Sequence, residues 1–257
     1  MPVNFLDRIA RSRTVSEASD TYLAAVRAQG FENVLYIARF LLPLPAAVLR
    51  EESVLFDSFP QGYVGQLRRN GHLHSAPWAL WALDNKGDIA LRDLHDATIS
   101  ANLDEPPHPA IAQATDHRVE AGRVISLKEC VMRSHGAVVL NPKAGISHDE
   151  AEARWETGGR SIGLMTSMLH LRLATLKRGD TVGNLTTRQR QVLEWSAAGK
   201  TVADIATILG LTPATVEKHL RLARHATGAD TTAHAIMRAY LDHQIFPHDQ
   251  NENPFAF

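Results

Sequence analysis

The stretch "GKTVADIATILGLTPATVEKHL", Gly199 to Leu220, narrows the possible folds more than any other part of the chain. Its spacing predicts a short helix at 202–209, a tight turn at "GLT", and a second helix starting at Pro213. Thr212 is a natural N-cap there, and Pro213 costs nothing at the first helical position, where no N–H bond is needed. Within the second helix Val216, Leu220 and Ala223 fall at i, i+4 and i+7 and form the side that packs inward. In the first helix Ile205, Ile208 and Leu209 are expected to do the same. The opposite side of the second helix then carries Ala214, Glu217, Lys218, Arg221 and Arg224, with Thr212 and Thr215 near its start. A further helix before the pair, "RQRQVLEWSAA", is capped by Thr186 or Thr187 and stopped by Gly199. Another follows at Thr232 to His243. The rear of the chain is therefore read as four helices and no strand.

Two short helices around a turn, the second apolar behind and cationic in front, suit a helix–turn–helix. There the second helix lies in the major groove and its N-terminal part meets base edges. Lys and Arg side chains hydrogen-bond guanine, while Lys200 and helix N-terminal amides suit phosphates, which set register. The bland alternative is an ordinary helical domain in which Glu217 and Arg221 are an i, i+4 surface pair. Charge leans the first way. Arg172 to Phe246 holds ten basic and six acidic residues, whereas the residues before it hold 17 and 20.

The 257-residue chain is long enough for a second domain. Thr14 or Ser16 begins a helix that ends near Gly30, and "NVLYIARF" (33–40) reads as a strand. "LPLP" (42–45) breaks any regular element, and "FPQGYVGQLRRNG" (59–71) is a loop with a short helix. Trp78 and Trp81, three apart, share one helical face. A helix starts near Ala110. "GRVISLK" and "GAVVLN" read as strands, and residues 147–177 as a helix that Gly158-Gly159 should weaken or interrupt. "RGDTVGN" (178–184) is the expected linker. It separates a front domain, 1–177, from a rear domain, 185–246, with a tail at 247–257. The fold class is α+β in front and all-α behind.

Composition bears on where such a chain works. The single cysteine, Cys130, excludes an intrachain disulfide, and no run nears the roughly 18 apolar residues of a membrane span. These point to a cytoplasmic protein with no membrane partner. "HLH" at 72–74 places two His on one face if it is a strand, with His95 and His108 downstream, but no Cys or carboxylate spacing supports a metal site. No nucleophile or paired-carboxylate arrangement argues for an enzyme, and no cofactor is expected.

The segment "LTTRQRQVLEWSAAGKTVADIATILGLTPATVEKHL" resembles the DNA-binding domain of LuxR-type transcriptional regulators. Leu185, Thr186, Arg188, Val192, Leu193, Trp195, Ala197, Gly199, Lys200, Thr201, Ile205, Ala206, Leu209, Thr215, Val216 and His219 match the family pattern; Gln189, Asp204 and Thr212 depart mildly from it. The resemblance implies double-stranded DNA as partner. The candidate contact set is Lys200, Thr201, Thr212, Thr215, Glu217, Lys218, His219, Arg221 and Arg224. It also implies that Ile236 and Tyr240 in the last helix help pair two copies, as a homodimer or with a related regulator.

A phosphoacceptor receiver would need an acidic pair and alternating β/α order, which the front domain lacks. "FPQGYVGQLRRNGHLHSAPWALWAL" and "EAGRVISL" are instead similar to the autoinducer-binding domain of quorum-sensing regulators, with Phe59-Pro60, Gly71, Pro77 and Gly122 as anchors. That likeness implies an α-β-α sandwich on an antiparallel sheet and a small-molecule signal. The candidate ligand-binding set is Tyr36, Tyr63, Ala76, Trp78 and Trp81; the bland reading of the two tryptophans is plain core. In the family a Trp and an Asp bond the lactone head group, and these positions fall on Tyr63 and Ala76. Ala76 accepts nothing, so ordinary acyl-homoserine-lactone recognition is not expected. A protein–protein antagonist that captures a related regulator, or a divergent lactone receptor, is the alternative.

Overall fold

The computed structural model describes residues 2–40, 53–60, 62–101, 106–128, 130–131, 134–176 and 184–246. The breaker at 42–45, the linker apart from Asn184, and the tail lie outside them. The chain divides into two compact units, Met1–Leu176 and Lys177–Phe257.

The first unit runs α1 (Pro2–Arg11), α2 (Val15–Arg27), β1 (Asn33–Phe40), β2 (Ser53–Asp57), α3 (Tyr63–Arg69), α4 (His72–Ser75) and α5 (Pro77–Asp84). It continues with β3 (Asp88–Ala90), α6 (Leu91–Ala101), α7 (Pro109–Asp116), β4 (Arg123–Ser126), β5 (Ser134–Asn141) and α8 (His148–Thr175). The strands form one antiparallel sheet in the order β2-β1-β5-β4-β3. Because successive strand residues face opposite ways, β1 feeds two cores at once. Val34, Tyr36, Ala38 and Phe40 join Val138 and Leu140 beneath α1, α2 and α8. Leu35 joins Val124, Ala137 and Val139 beneath the α3 to α7 layer. The result is the expected α-β-α sandwich.

Three local expectations change. β2 and β3 were not anticipated, since a five-residue edge strand and a three-residue strand are too short for alternation to register. Helix α8 runs unbroken through Gly158 and Gly159. A Cβ on Gly159 would lie 2.6 Å from the Trp155 ring, and one on Gly158 2.9 Å from Gln29 Oε1. The two glycines admit close neighbours, and the packing gained outweighs their poor helix propensity. Finally, "HLH" is a helical turn and not a strand, so His72 and His74 point to different sides.

The second unit holds α9 (Thr187–Ala197), α10 (Val202–Leu209), α11 (Pro213–Thr227) and α12 (Thr232–Leu241). Every start is capped by a threonine: Thr186, Thr201, Thr212 and Thr231 each accept a bond from a backbone N–H three residues on. Gly210, at φ +64°, closes α10 in the left-handed conformation that lets the turn reverse within two residues. Val192, Leu193, Ile205, Val216, Leu220, Ala223, Ala235 and Ala239 form the core. Ile208 does not join it and is 44% exposed. Eight residues make little more than two turns, and the inward side is already filled by Ile205 and Ala206. Among the described residues no helix is long and apolar enough to cross a membrane.

Candidate nucleic-acid interface and sensing cavity

Helix α11 presents its two sides as its period requires. Val216, Leu220 and Ala223 are buried, while Ala214, Glu217, Lys218 and Arg221 are exposed. Thr212 Oγ1 accepts the Thr215 N–H at 3.2 Å and shares a 2.9 Å hydrogen bond with the Thr215 hydroxyl, so both threonines set the start of the helix. Lys200 is exposed just before α10. Thr201 is exposed but occupied: its N–H and hydroxyl both donate to Asp204 Oδ2, at 3.0 and 2.7 Å. These bonds hold the Asp204 carboxyl below its ordinary pKa.

Two candidates are not on the open face. His219 is half-buried, and its Nδ1 has no hydrogen-bond partner among the described residues. Arg224 is half-buried, and its Nη1 donates to Thr232 Oγ1 at 3.1 Å, tying α11 to the start of α12. On α12, Ile236 packs partly against the core and Tyr240 is 61% exposed.

The first unit holds a small, partly open cavity of about 20 Å³ between β5 and helices α3, α5, α6 and α7. Tyr63, Pro77, Trp78, His95 and Asn141 line it among apolar neighbours. The Tyr63 ring stacks on Phe59 at 4.8 Å and meets His117 edge-on at 5.1 Å. Gln113 Nε2 donates to the Tyr63 carbonyl at 2.9 Å, which joins α7 to α3. Burial pushes the Tyr63 hydroxyl up to about 12, so it stays protonated. Burial, and then the nearby His148, bring His95 down to about 4, which keeps its ring neutral near pH 7.

Of the five candidate ligand residues, three come together. Tyr63 and Trp78 line the cavity, and fully buried Ala76 precedes its Pro77 in the same apolar cluster. Trp81 packs partly against that cluster but does not line the cavity. Tyr36 is placed elsewhere. It lies on the opposite face of the sheet, stacked on Phe56 at 4.8 Å, with a 2.7 Å hydrogen bond between its hydroxyl and His170 Nδ1. Its position in β1 selects the other face, which an aromatic residue type cannot reveal. His95 and Asn141 are the polar cavity residues outside the ligand candidate set. No local pattern marks either one, because both reach the cavity only through the tertiary fold.

A cavity-bearing sandwich joined to a helix–turn–helix with an open polar face defines a two-unit, sensor-type DNA-binding regulator. Residues 183–238 match the family of bacterial regulatory proteins of the luxR type, and residues 14–173 match the autoinducer binding domain. The chain belongs to the LuxR-type transcriptional regulators that carry an autoinducer-binding domain. It is 27% identical over 248 residues to the transcriptional activator protein SolR of Ralstonia solanacearum, covering 93% of this chain and 98% of SolR. It is 22% identical over 245 residues to the transcriptional repressor ThaA of Burkholderia thailandensis, covering 92% and 94%. Its fold is similar to that of SdiA in complex with octanoyl-rac-glycerol, with a TM-score of 0.57 at 18% identity over 94% of this chain and 93% of that one. Regulators of this family bind DNA and autoinducer ligands, typically as dimers.

Proposed function

We propose that this regulator reads base edges with Lys218 and Arg221, aided by Glu217, while Lys200 and the capped starts of α10 and α11 hold the phosphates. The supporting observation is that Lys218 and Arg221 stand exposed on the side of α11 opposite its buried Val216–Leu220–Ala223 face. Thr201, Thr212 and Thr215 then act by holding helix starts, whose backbone N–H groups face phosphate oxygens. His219 and Arg224 support the recognition helix from behind. The protein works in the cytoplasm as a pair of chains, either two copies or one copy with a related regulator, with Tyr240 on the pairing side of α12.

The sensing unit does not use ordinary acyl-homoserine-lactone recognition. Ala76 is fully buried where the resemblance places an Asp, and its methyl group accepts no hydrogen bond. A ligand amide N–H left unpaired there costs about 1–3 kcal/mol. The DNA part is tested with promoter fragments selected by the wild-type chain. Lys218→Ala/Arg221→Ala should weaken specific binding about 100-fold, and unchanged affinity would favour capture of a partner regulator over DNA reading. The ligand part is tested by calorimetry with N-octanoyl homoserine lactone. The wild-type chain should bind it weakly and Ala76→Asp more tightly; tight binding by the wild type would overturn the reading.

A further inference from the structure

Asn141 is 1% exposed, closes β5, and lines the cavity in the first unit. Its side chain is half used. Nδ2 donates to the carbonyls of Val119 at 2.6 Å and Ala121 at 2.7 Å, which consumes both amide hydrogens. Oδ1 is buried and accepts no hydrogen bond from any group among the described residues. The two carbonyls also settle the amide's orientation: a flip would set Oδ1 against two oxygens and leave them without a donor. A buried amide oxygen without a partner is costly, and a donor brought to Oδ1 would remove that cost.

Gly122 explains how the 119–122 segment comes so close. A Cβ there would lie 2.0 Å from the Leu140 carbonyl oxygen and 3.1 Å from Asn141 Cα, at φ +151°. Only glycine lets that segment lie on the end of β5 and fix the Asn141 amide.

The other lining residues limit what the donor belongs to. None is a carboxylate, ammonium or guanidinium, and most are apolar. An ion brought here would lose its hydration with no countercharge. Tyr63, a neutral phenol, His95, a neutral imidazole, and Trp78, whose indole carries one N–H donor, are the remaining side chains on the wall with a polar group. The present volume of about 20 Å³ takes one small polar group, of the size of a hydroxyl or a water. A larger body needs the α5 to α7 layer to give way.

We infer that Asn141 Oδ1 is the signal-recognising acceptor of this regulator, and that it takes an uncharged ligand through a hydroxyl or amide N–H. The acceptor that position 76 lacks is thus supplied from the sheet wall. This rests on the sensing role proposed above, but not on the DNA contacts.

The test uses the full chain carrying asparagine labelled with carbon-13 at Cγ, and three octyl probes: octan-1-ol, 1-methoxyoctane and octanoate. The alcohol should bind about tenfold more tightly than the ether, which lacks the donor. Octanoate should bind more weakly than either. The Asn141 Cγ resonance should move with the alcohol alone, and Asn141→Leu should remove the alcohol's advantage. If that variant does not fold, the alcohol-to-ether ratio and the Cγ shift of the wild type decide. Equal affinity for alcohol and ether, an unmoved Cγ resonance, or no binding of the alcohol up to its solubility limit overturns the assignment. So does a single ordered water that stays on Oδ1 in alcohol-soaked crystals. DNA binding by the same preparation keeps this separate: a chain that holds its promoter but shows no alcohol preference loses the cavity assignment only.

Discussion

The helix–turn–helix unit and the sandwich unit carry their polar groups in opposite ways. In the first, Glu217, Lys218 and Arg221 stand on an exposed helix face, and their placement follows from a 3.6-residue period. In the second, the polar groups of the cavity wall lie inside, and the one of greatest interest is a single oxygen of a buried asparagine. A surface reader is made from residues close in sequence and tolerates the loss of one contact. An interior site is assembled from β5, α3 and α6, and depends on backbone fit to a few tenths of an ångström.

Four changes probe that contrast, from the strongest to the mildest. Gly122→Ala drives a methyl group into the Leu140 carbonyl and should cost about 3 kcal/mol or more. Thermal melts should show the first unit failing while the second keeps its transition; equal loss in both would mean that the units are not independent. Lys218→Ala/Arg221→Ala should lower affinity for a selected promoter fragment about 100-fold, at about 1–3 kcal/mol per contact, with both melting transitions unchanged. Fluorescence anisotropy measures this, and a fall that is uniform across unrelated DNA would assign the pair to phosphates.

The third concerns pH. His95 has a folded pKa near 4 against an ordinary value of 6.5, so the unfolded chain binds its proton more readily. Its neutral burial therefore favours folding above pH 6.5, and that contribution is lost as pH falls through about 4. His95→Leu should flatten the pH dependence of the first unit's stability across that window and leave the second unit's unchanged. A chemical-denaturation series at stepped pH checks both. The mildest change is Thr212→Ala, which removes the α11 cap and should cost the second unit about 1 kcal/mol. A loss of DNA affinity larger than that of stability would show that the helix start also serves the phosphates.

Much of the second unit was legible from residue types. Threonine caps, Pro213 at the first helical position and Gly210 in the turn act within four residues of the bonds they control, and the helices fall where those signals lie. Ile208 escaped because an apolar residue says that it favours burial, not that room remains. In the first unit, β1 and β5 were legible as β-branched, apolar runs. The short strands β2 and β3 were not, and the continuity of α8 depends on Trp155 and Gln29 filling the space that Gly158 and Gly159 leave. Resemblance pointed to Tyr63 and Ala76, and helical spacing from Trp81 to Trp78, whereas Tyr36 fell to the other side of the sheet.

By itself, the sequence determined the two-part layout, the recognition helix with its cations, and the alanine at position 76. These depend on residue identity and on spacings of one to seven. Tertiary structure alone decided which face of the sheet Tyr36 joins, that His95 is held neutral, and that Asn141 keeps one oxygen unpaired. The reason is the range of the interactions. Whether a polar atom is satisfied depends on groups about 20 residues away along the chain, such as the Val119 and Ala121 carbonyls on Asn141, and no local period encodes their approach.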